Sequence, residues 1–208
     1  VSRSVRSGGL TLVELLVVVV IGSIVTGALV LTWFSLSDSY SFTTRSTEAA
    51  DFARDSIARM SRELRDAEPV GSGVAIISAS NDEISFTTTF NEAGNESRLV
   101  EPVLTRYYFE WDEARGIGRL HRQRGTRDLV IVDNLLNARD ASGTADIFRY
   151  AYVSSDSTYV PDAQNPEAEM LGTISMIKIR LIVDLNPESA PQPMEVTVTA
   201  HLRNQRSD

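Results

Sequence analysis

The sequence predicts an α+β protein. A long N-terminal helix, membrane-spanning in its first half and amphipathic in its second, packs on an antiparallel β-sheet head. Three observations predict this. Residues 15–34 contain no charged side chain and no proline; that is about twenty residues, a helix of about 30 Å, the thickness of bilayer hydrocarbon. Between Ala49 and Ala67, apolar residues recur every three or four positions, the spacing of one helix face. Beyond Gly71, apolar and polar residues alternate in runs separated by turn residues, the pattern of strands with one buried face.

Residues 1–9 read as a basic leader, with Arg3 and Arg6 and no acid. The positive-inside rule puts these arginines on the cytoplasmic side, so the rest of the chain faces outward. The span follows over 10–34, with one carboxylate, Glu14, at its mouth. A secretory signal peptide has an apolar stretch of roughly 7–15 residues and then a small-residue cut; this run is longer, and no A-x-A site follows it. A plain anchor fits the length but leaves Glu14 unexplained. A carboxylate inside a span costs up to roughly 2.5–3.5 kcal/mol at the bilayer centre, less near an end, and usually marks function. The plainer reading is an end-of-span charge that snorkels to the interface. Gly22, Ser23, Thr26, Gly27 and Ala28 are small, and Ser23 with Gly27 makes a small-xxx-small pair that lets helices approach closely in lipid. Small residues are also common in such spans. Gly22 and Gly27 are the weak points of the helix, at roughly 1 kcal/mol each relative to alanine.

The amphipathic half covers 35–68. Ala49, Phe52, Ser56, Met60, Leu64 and Ala67 form its stripe, Ala53 and Ile57 widen it, and Arg45, Glu48, Asp51, Arg54, Asp55, Arg59, Arg62 and Arg65 populate other positions. Pro69 and Gly71 end it. A continuous helix over 10–67 would measure about 85 Å; the weak helix formers at 35–41 allow a break there instead. Strands are expected at 74–79, 83–90, 105–112, 119–124, 129–133, 148–153, 175–184 and 194–202. Tyr107, Phe109 and Trp111 share one face of the third, and Ser175, Ile177, Ile179, Leu181 and Val183 share one face of the seventh. The polar, acidic stretch 154–172 reads as an exposed loop. Residues 69–208 are expected to form one globular domain with 35–68.

Gly9 followed by Leu10-Thr11-Leu12-Val13-Glu14-Leu15-Leu16 resembles the class III leader of type IV prepilins and pseudopilins. The resemblance implies that a membrane aspartyl peptidase cuts after Gly9 and methylates the new amino terminus, Leu10. Phenylalanine is commoner than leucine at that position. Glu14 then becomes the fifth residue of the mature chain, where the family carries its glutamate. Cleavage creates an α-amine with an unperturbed pKa near 8, mostly cationic at neutral pH. In lipid, amine and carboxylate are each costly alone; paired at ~4 Å they gain a few kcal/mol at an effective dielectric of ~20. The pair can form within one helix or between neighbouring subunits, and the resemblance favours the second.

The helix 54–67, the hairpin 107–122, the segment Phe148-Arg149-Tyr150 and the ending 196–204 are similar to J-type pseudopilins and W-type minor pilins. What this implies is a minor subunit at the tip or initiation complex of a type II secretion pseudopilus or type IV pilus. It would sit in the cytoplasmic membrane as a single-pass protein with an extracytoplasmic head. Its partners would be prepilin peptidase/N-methyltransferase, other pilin or pseudopilin subunits, the inner-membrane assembly platform and membrane lipid. The alternative is a membrane-anchored extracytoplasmic binding module that does not polymerise.

A net charge of −8 argues against general nucleic-acid binding. There is no cysteine, hence no disulfide and no thiolate metal site. His121 and His201 sit on predicted strands beside polar neighbours, as surface residues rather than bases. No G-x-S-x-G, P-loop, dinucleotide fingerprint or H-E-x-x-H occurs, and no enzymatic activity is expected. Asp156, Asp162, Glu167 and Glu169 offer the oxygen donors that calcium takes, but the EF-hand spacing is missing, so a solvated acidic loop is expected and no cofactor. His121, Arg122, Arg124 and Arg127 read as a basic patch on a hairpin edge, where charges discourage sheet-to-sheet pairing.

Overall fold

The computed structural model describes residues 11–70, 73–90, 101–137, 145–185 and 193–203. Contacts divide the chain into two units, Val1–Thr44 and Arg45–Asp208. One helix, α1 (Leu12–Arg65), runs without interruption through the serine-rich stretch where a break was allowed. In the first unit every side chain from Thr11 to Ser41 is exposed. This stretch makes α1 long and apolar enough to cross a membrane.

The second unit is α+β, as expected. Among the described residues nine strands form one antiparallel sheet: β1 (Ile76–Ala79), β2 (Glu83–Thr88), β3 (Val103–Asp112), β4 (Ile117–Arg124), β5 (Arg127–Leu135), β6 (Phe148–Val153), β7 (Tyr159–Ala163), β8 (Ile174–Asp184) and β9 (Pro193–His201). Neighbours run β1-β2-β3-β4-β5-β8-β6-β7, with β9 on β8. Strand β9 takes one edge of β8 for its whole length. The other edge of β8 is shared by β6 and by the last residue of β5, where Leu135 meets Val183. Asn137 welds that corner. It is buried, donates to the carbonyls of Asp146 and Arg180 (both 3.0 Å), and accepts from the Ile182 amide at 2.9 Å.

The core lies between the C-terminal part of α1 and the sheet. Ala53, Ile57, Met60 and Leu64 meet Phe86, Tyr107, Leu120, Ile177, Ile179 and Leu181 in one buried cluster. The alternation in β8 holds from Ile177 to Val183 but fails at Ser175, which is exposed while Ile174 is buried. Ser175 is the extra residue of a bulge: Ala151 pairs with Met176 and Tyr152 with Ile174. An extra residue flips the parity of everything before it. Phe52 also departs from expectation. It was placed on the apolar stripe and is 57% exposed. At 100° per residue it falls at the rim of the stripe that Ala53, Ile57 and Leu64 centre.

The predicted loop 154–172 contains β7 and a 3-10 turn, Ala168–Thr173. Tyr159 and Val160 are the β-forming residues; their small number in an acidic stretch hid the strand. Strand β5 extends beyond the predicted 129–133 at both ends: Gly125, at φ +59°, supplies the tight turn that starts the β4–β5 hairpin at Arg124 and Arg127, and at the far end Leu135 pairs with Gly118 and Val183. The helix ends two residues before Ala67, which forms a bridge with Thr88. The Thr88 hydroxyl donates to the carbonyls of Asp66 (3.1 Å) and Glu63 (3.3 Å), satisfying carbonyls that a helix end leaves open.

Candidate functional site

The helix start is built by Thr11 and Glu14. Glu14 Oε2 accepts from the Thr11 amide at 2.8 Å and from its hydroxyl at 2.9 Å, and the Glu14 amide donates to Thr11 Oγ1 at 3.3 Å. The Thr11 carbonyl accepts the first intrahelical bond, from the Leu15 amide at 3.1 Å. This is a capping box: a threonine N-cap and a glutamate three residues on satisfy each other's orphan donors. The T-x-x-E spacing was available in the sequence as a cap signal, beside the charge argument. A carboxylate in the first turn also faces the positive end of the helix dipole.

Gly9 and Leu10 lie outside the described residues. Gly22, Ser23, Thr26 and Gly27 are all exposed on α1. A Cβ built on Gly22 or Gly27 meets nothing within 4 Å, so no contact within the chain requires glycine at either place. The Ser23 hydroxyl donates back to the Val19 carbonyl at 2.8 Å, which satisfies it inside its own helix.

In the head, the sequence reading missed a buried ionic cluster. Glu63 and Arg122 are 0% and 2% exposed. Arg122 Nε donates to Glu63 Oε2 at 3.1 Å and Nη2 to Oε1 at 2.8 Å, while the buried Tyr107 hydroxyl donates to Oε2 at 2.6 Å. Burial and the neighbouring Glu63 charge hold the Tyr107 hydroxyl well above the usual phenol range. The cluster ties α1 to β3 and β4. The signal was present: Glu63 lies on the helix face of Met60 and Leu64, and Arg122 has the parity of buried Leu120 in β4. The predicted basic patch is therefore corrected. Arg122 points inward to Glu63. Arg124 donates to the Phe90 carbonyl at 2.7 Å. His121 stacks on Tyr108, with ring centroids 4.8 Å apart. Its ring nitrogens stand 2.9 Å from Glu110 and 3.4 Å from Asp128, without the alignment of hydrogen bonds. Of that group only Arg127 is exposed.

Tyr108 carries Arg106 over its ring at 4.6 Å and donates to Asp128 at 2.6 Å. That bond pushes the Tyr108 hydroxyl up to about 12 and holds the Asp128 carboxyl below its usual range. Of the four acids weighed for calcium, two have other engagements. Asp162 pairs with Arg149 (3.4 Å) and Lys178 (3.8 Å), and Asp156 accepts from the Ser154 hydroxyl and the Thr158 amide. Among the described residues no three His, Cys, Asp or Glu side chains gather as a metal site. His201 is exposed at the end of β9.

No curated protein matches the chain. Residues 5–30 match the family described as the prokaryotic N-terminal methylation motif. The matched stretch takes in Gly9, Leu10, the Thr11–Glu14 cap and the first part of the apolar helix, and it supports a type IV pilin-like protein whose leader is a substrate of prepilin peptidase.

Proposed function

We propose that this chain is a minor pilin or pseudopilin with no enzymatic role. It is inserted in the cytoplasmic membrane with its head outside. Prepilin peptidase cuts after Gly9, Leu10 is N-methylated, and the subunit joins a type II secretion pseudopilus or type IV pilus through α1. The leader 1–9, the span 10–34 and the amphipathic half 35–68 have separate tasks: address, assembly and head packing. One observation carries the reading. An apolar helix with every side chain exposed from Thr11 to Ser41 holds a single acid in its first turn, inside the matched motif. A surface of that size left open needs lipid or other helices to cover it.

Glu14 supplies charge register in this reading. A cationic amine on a neighbouring helix is stabilised only where it meets that carboxylate, so mis-staggered neighbours are disfavoured. Gly22, Ser23, Thr26 and Gly27 supply a face of close approach. Mass spectrometry of the membrane-extracted protein tests the proposal, with a chain beginning at N-methyl-Leu10 as the expected result; an intact leader refutes it. A Glu14→Val variant is expected to be inserted and cut but not incorporated. Normal incorporation would remove the role given to Glu14, and absence of any assembly by the native chain would favour an anchored module that does not polymerise.

A further inference from the structure

Among the described residues the sheet ends in four strand edges, and three of them are interrupted. Strand β1 has four residues and a register shift between Ile76 and Ser78. Strand β7 has five, with Pro161 lacking an N–H and Asp162 at φ +60°. Strand β5 shifts register twice against β4, carries Asn134 at φ +59°, and has its Ile131 carbonyl taken by the Ser56 hydroxyl at 2.8 Å. Such short, bulged or capped edges resist pairing with another chain.

Beyond its first residue, Pro193, strand β9 has none of these devices. Its nine residues pair with β8 without a shift. After Pro193 it has no proline, no glycine and no positive φ. Among the described residues nothing pairs with its outer edge. About 30 Å of backbone donors and acceptors is left open at strand spacing. Met194, Val196 and Val198, on the core side, are only half-buried, while Glu195 on the other side is held by Arg180 at 2.9 and 3.0 Å.

We propose that the outer edge of β9 is a strand-addition site for an extended segment of another protein. Open backbone groups select an extended backbone. The half-covered Met194, Val196 and Val198 select apolar side chains at alternate positions of the incoming strand. A second copy fits less well. It could offer only its own β9, since its other edges are interrupted. Antiparallel β9-to-β9 pairing uses a two-fold axis normal to the sheet and reverses α1 between the copies. Parallel pairing sets the apolar face of one copy beside the polar face of the other. The first of these objections rests on the proposed membrane insertion, which gives both copies one direction.

The test uses the full chain in detergent micelles. The probe is a nine-residue peptide alternating valine and threonine, N-methylated at alternate residues so that it has one pairing edge. Hydrogen exchange of the β9 amides is expected to slow at least tenfold with peptide, with β1, β5 and β7 unchanged. Thr197→Pro and Val198→Pro sort the two sides, because consecutive N–H groups face opposite edges. The variant that keeps the native melting profile has lost an outward N–H and is expected to bind at least tenfold more weakly. No protection at millimolar peptide, protection at another edge, or full binding by that variant overturns the proposal. So does protection of β9 that rises with protein concentration alone, the signature of a second copy. Leader cleavage does not enter this readout, so each reading can fail without the other.

Discussion

Replacing Arg122 by methionine leaves Glu63 fully buried, with its two guanidinium bonds of 3.1 and 2.8 Å gone and only the Tyr107 hydroxyl, at 2.6 Å, remaining. Breaking a buried pair on one side strands a charge and costs about 3–5 kcal/mol. For a head of this size each kcal/mol lowers the melting temperature by about 2–4 °C, so a drop of about 6–20 °C is expected. Removing all three partners is different. With Glu63→Met, Arg122→Met and Tyr107→Phe together, the buried carboxylate goes along with both of its donors, and such replacements are often neutral or stabilising by about 1–4 kcal/mol. The triple variant is thus expected to melt at or above the native temperature, well above the single variant. Thermal unfolding of the micelle-held chain, followed by far-UV circular dichroism, reads both. If Arg122→Met melts within about 2 °C of native, or the triple variant falls as far as the single one, the cluster does not act as a charge pair sealed between helix and sheet.

Gly118→Ala would bring a methyl to 2.0 Å from the Phe109 ring; overpacking of this kind costs about 1–3 kcal/mol, and a lowered melting temperature checks it, with Gly116→Ala testing strain at positive φ rather than crowding. Asn137→Ala removes three hydrogen bonds at the corner of β5, β6 and β8; a loss of about 2–4 kcal/mol is expected from the stranded backbone groups, together with faster exchange at Ile182. For Tyr108 the sign follows from its raised pKa of about 12. The protonated phenol is favoured in the folded head, so its contribution is complete below the ordinary phenol pKa of about 10 and is lost as pH rises from there through about 12. Beside the buried Tyr107 and Tyr150, whose hydroxyls are also held well above the usual phenol range, tyrosinate absorbance should show a step near 12 that Tyr108→Phe removes and Asp128→Asn brings back toward 10.

Most of the layout was legible in the sequence because long periodic stretches dominate it. The charge-free run predicted the exposed helix, and the alternations in 194–202 and 177–183 placed β9 and most of β8 on the correct faces. What escaped was local exception. One inserted residue, Ser175, reversed a parity that no pattern of residue types reveals. Arg122 was counted as solvent-facing because charge usually signals exposure, and Glu63 was left unassigned, although their positions in the strand and helical periods put them inside. Strand β7 was missed because pairing with β6, rather than its own residue pattern, makes it a strand. At the N-terminus the charge of Glu14 was noticed, while the short-range chemistry of Thr11 three residues before it was not.

That chemistry bears on how a subunit could change neighbours. Both donors of Thr11 converge on a single oxygen of Glu14, and among the described residues Oε1 has no partner. The carboxylate is therefore two-handed. One oxygen keeps the first turn wound while its twin stays open. In the proposed assembly, a neighbour's cation would settle on that second oxygen, so that docking and undocking would leave the rod wound and would require no local refolding.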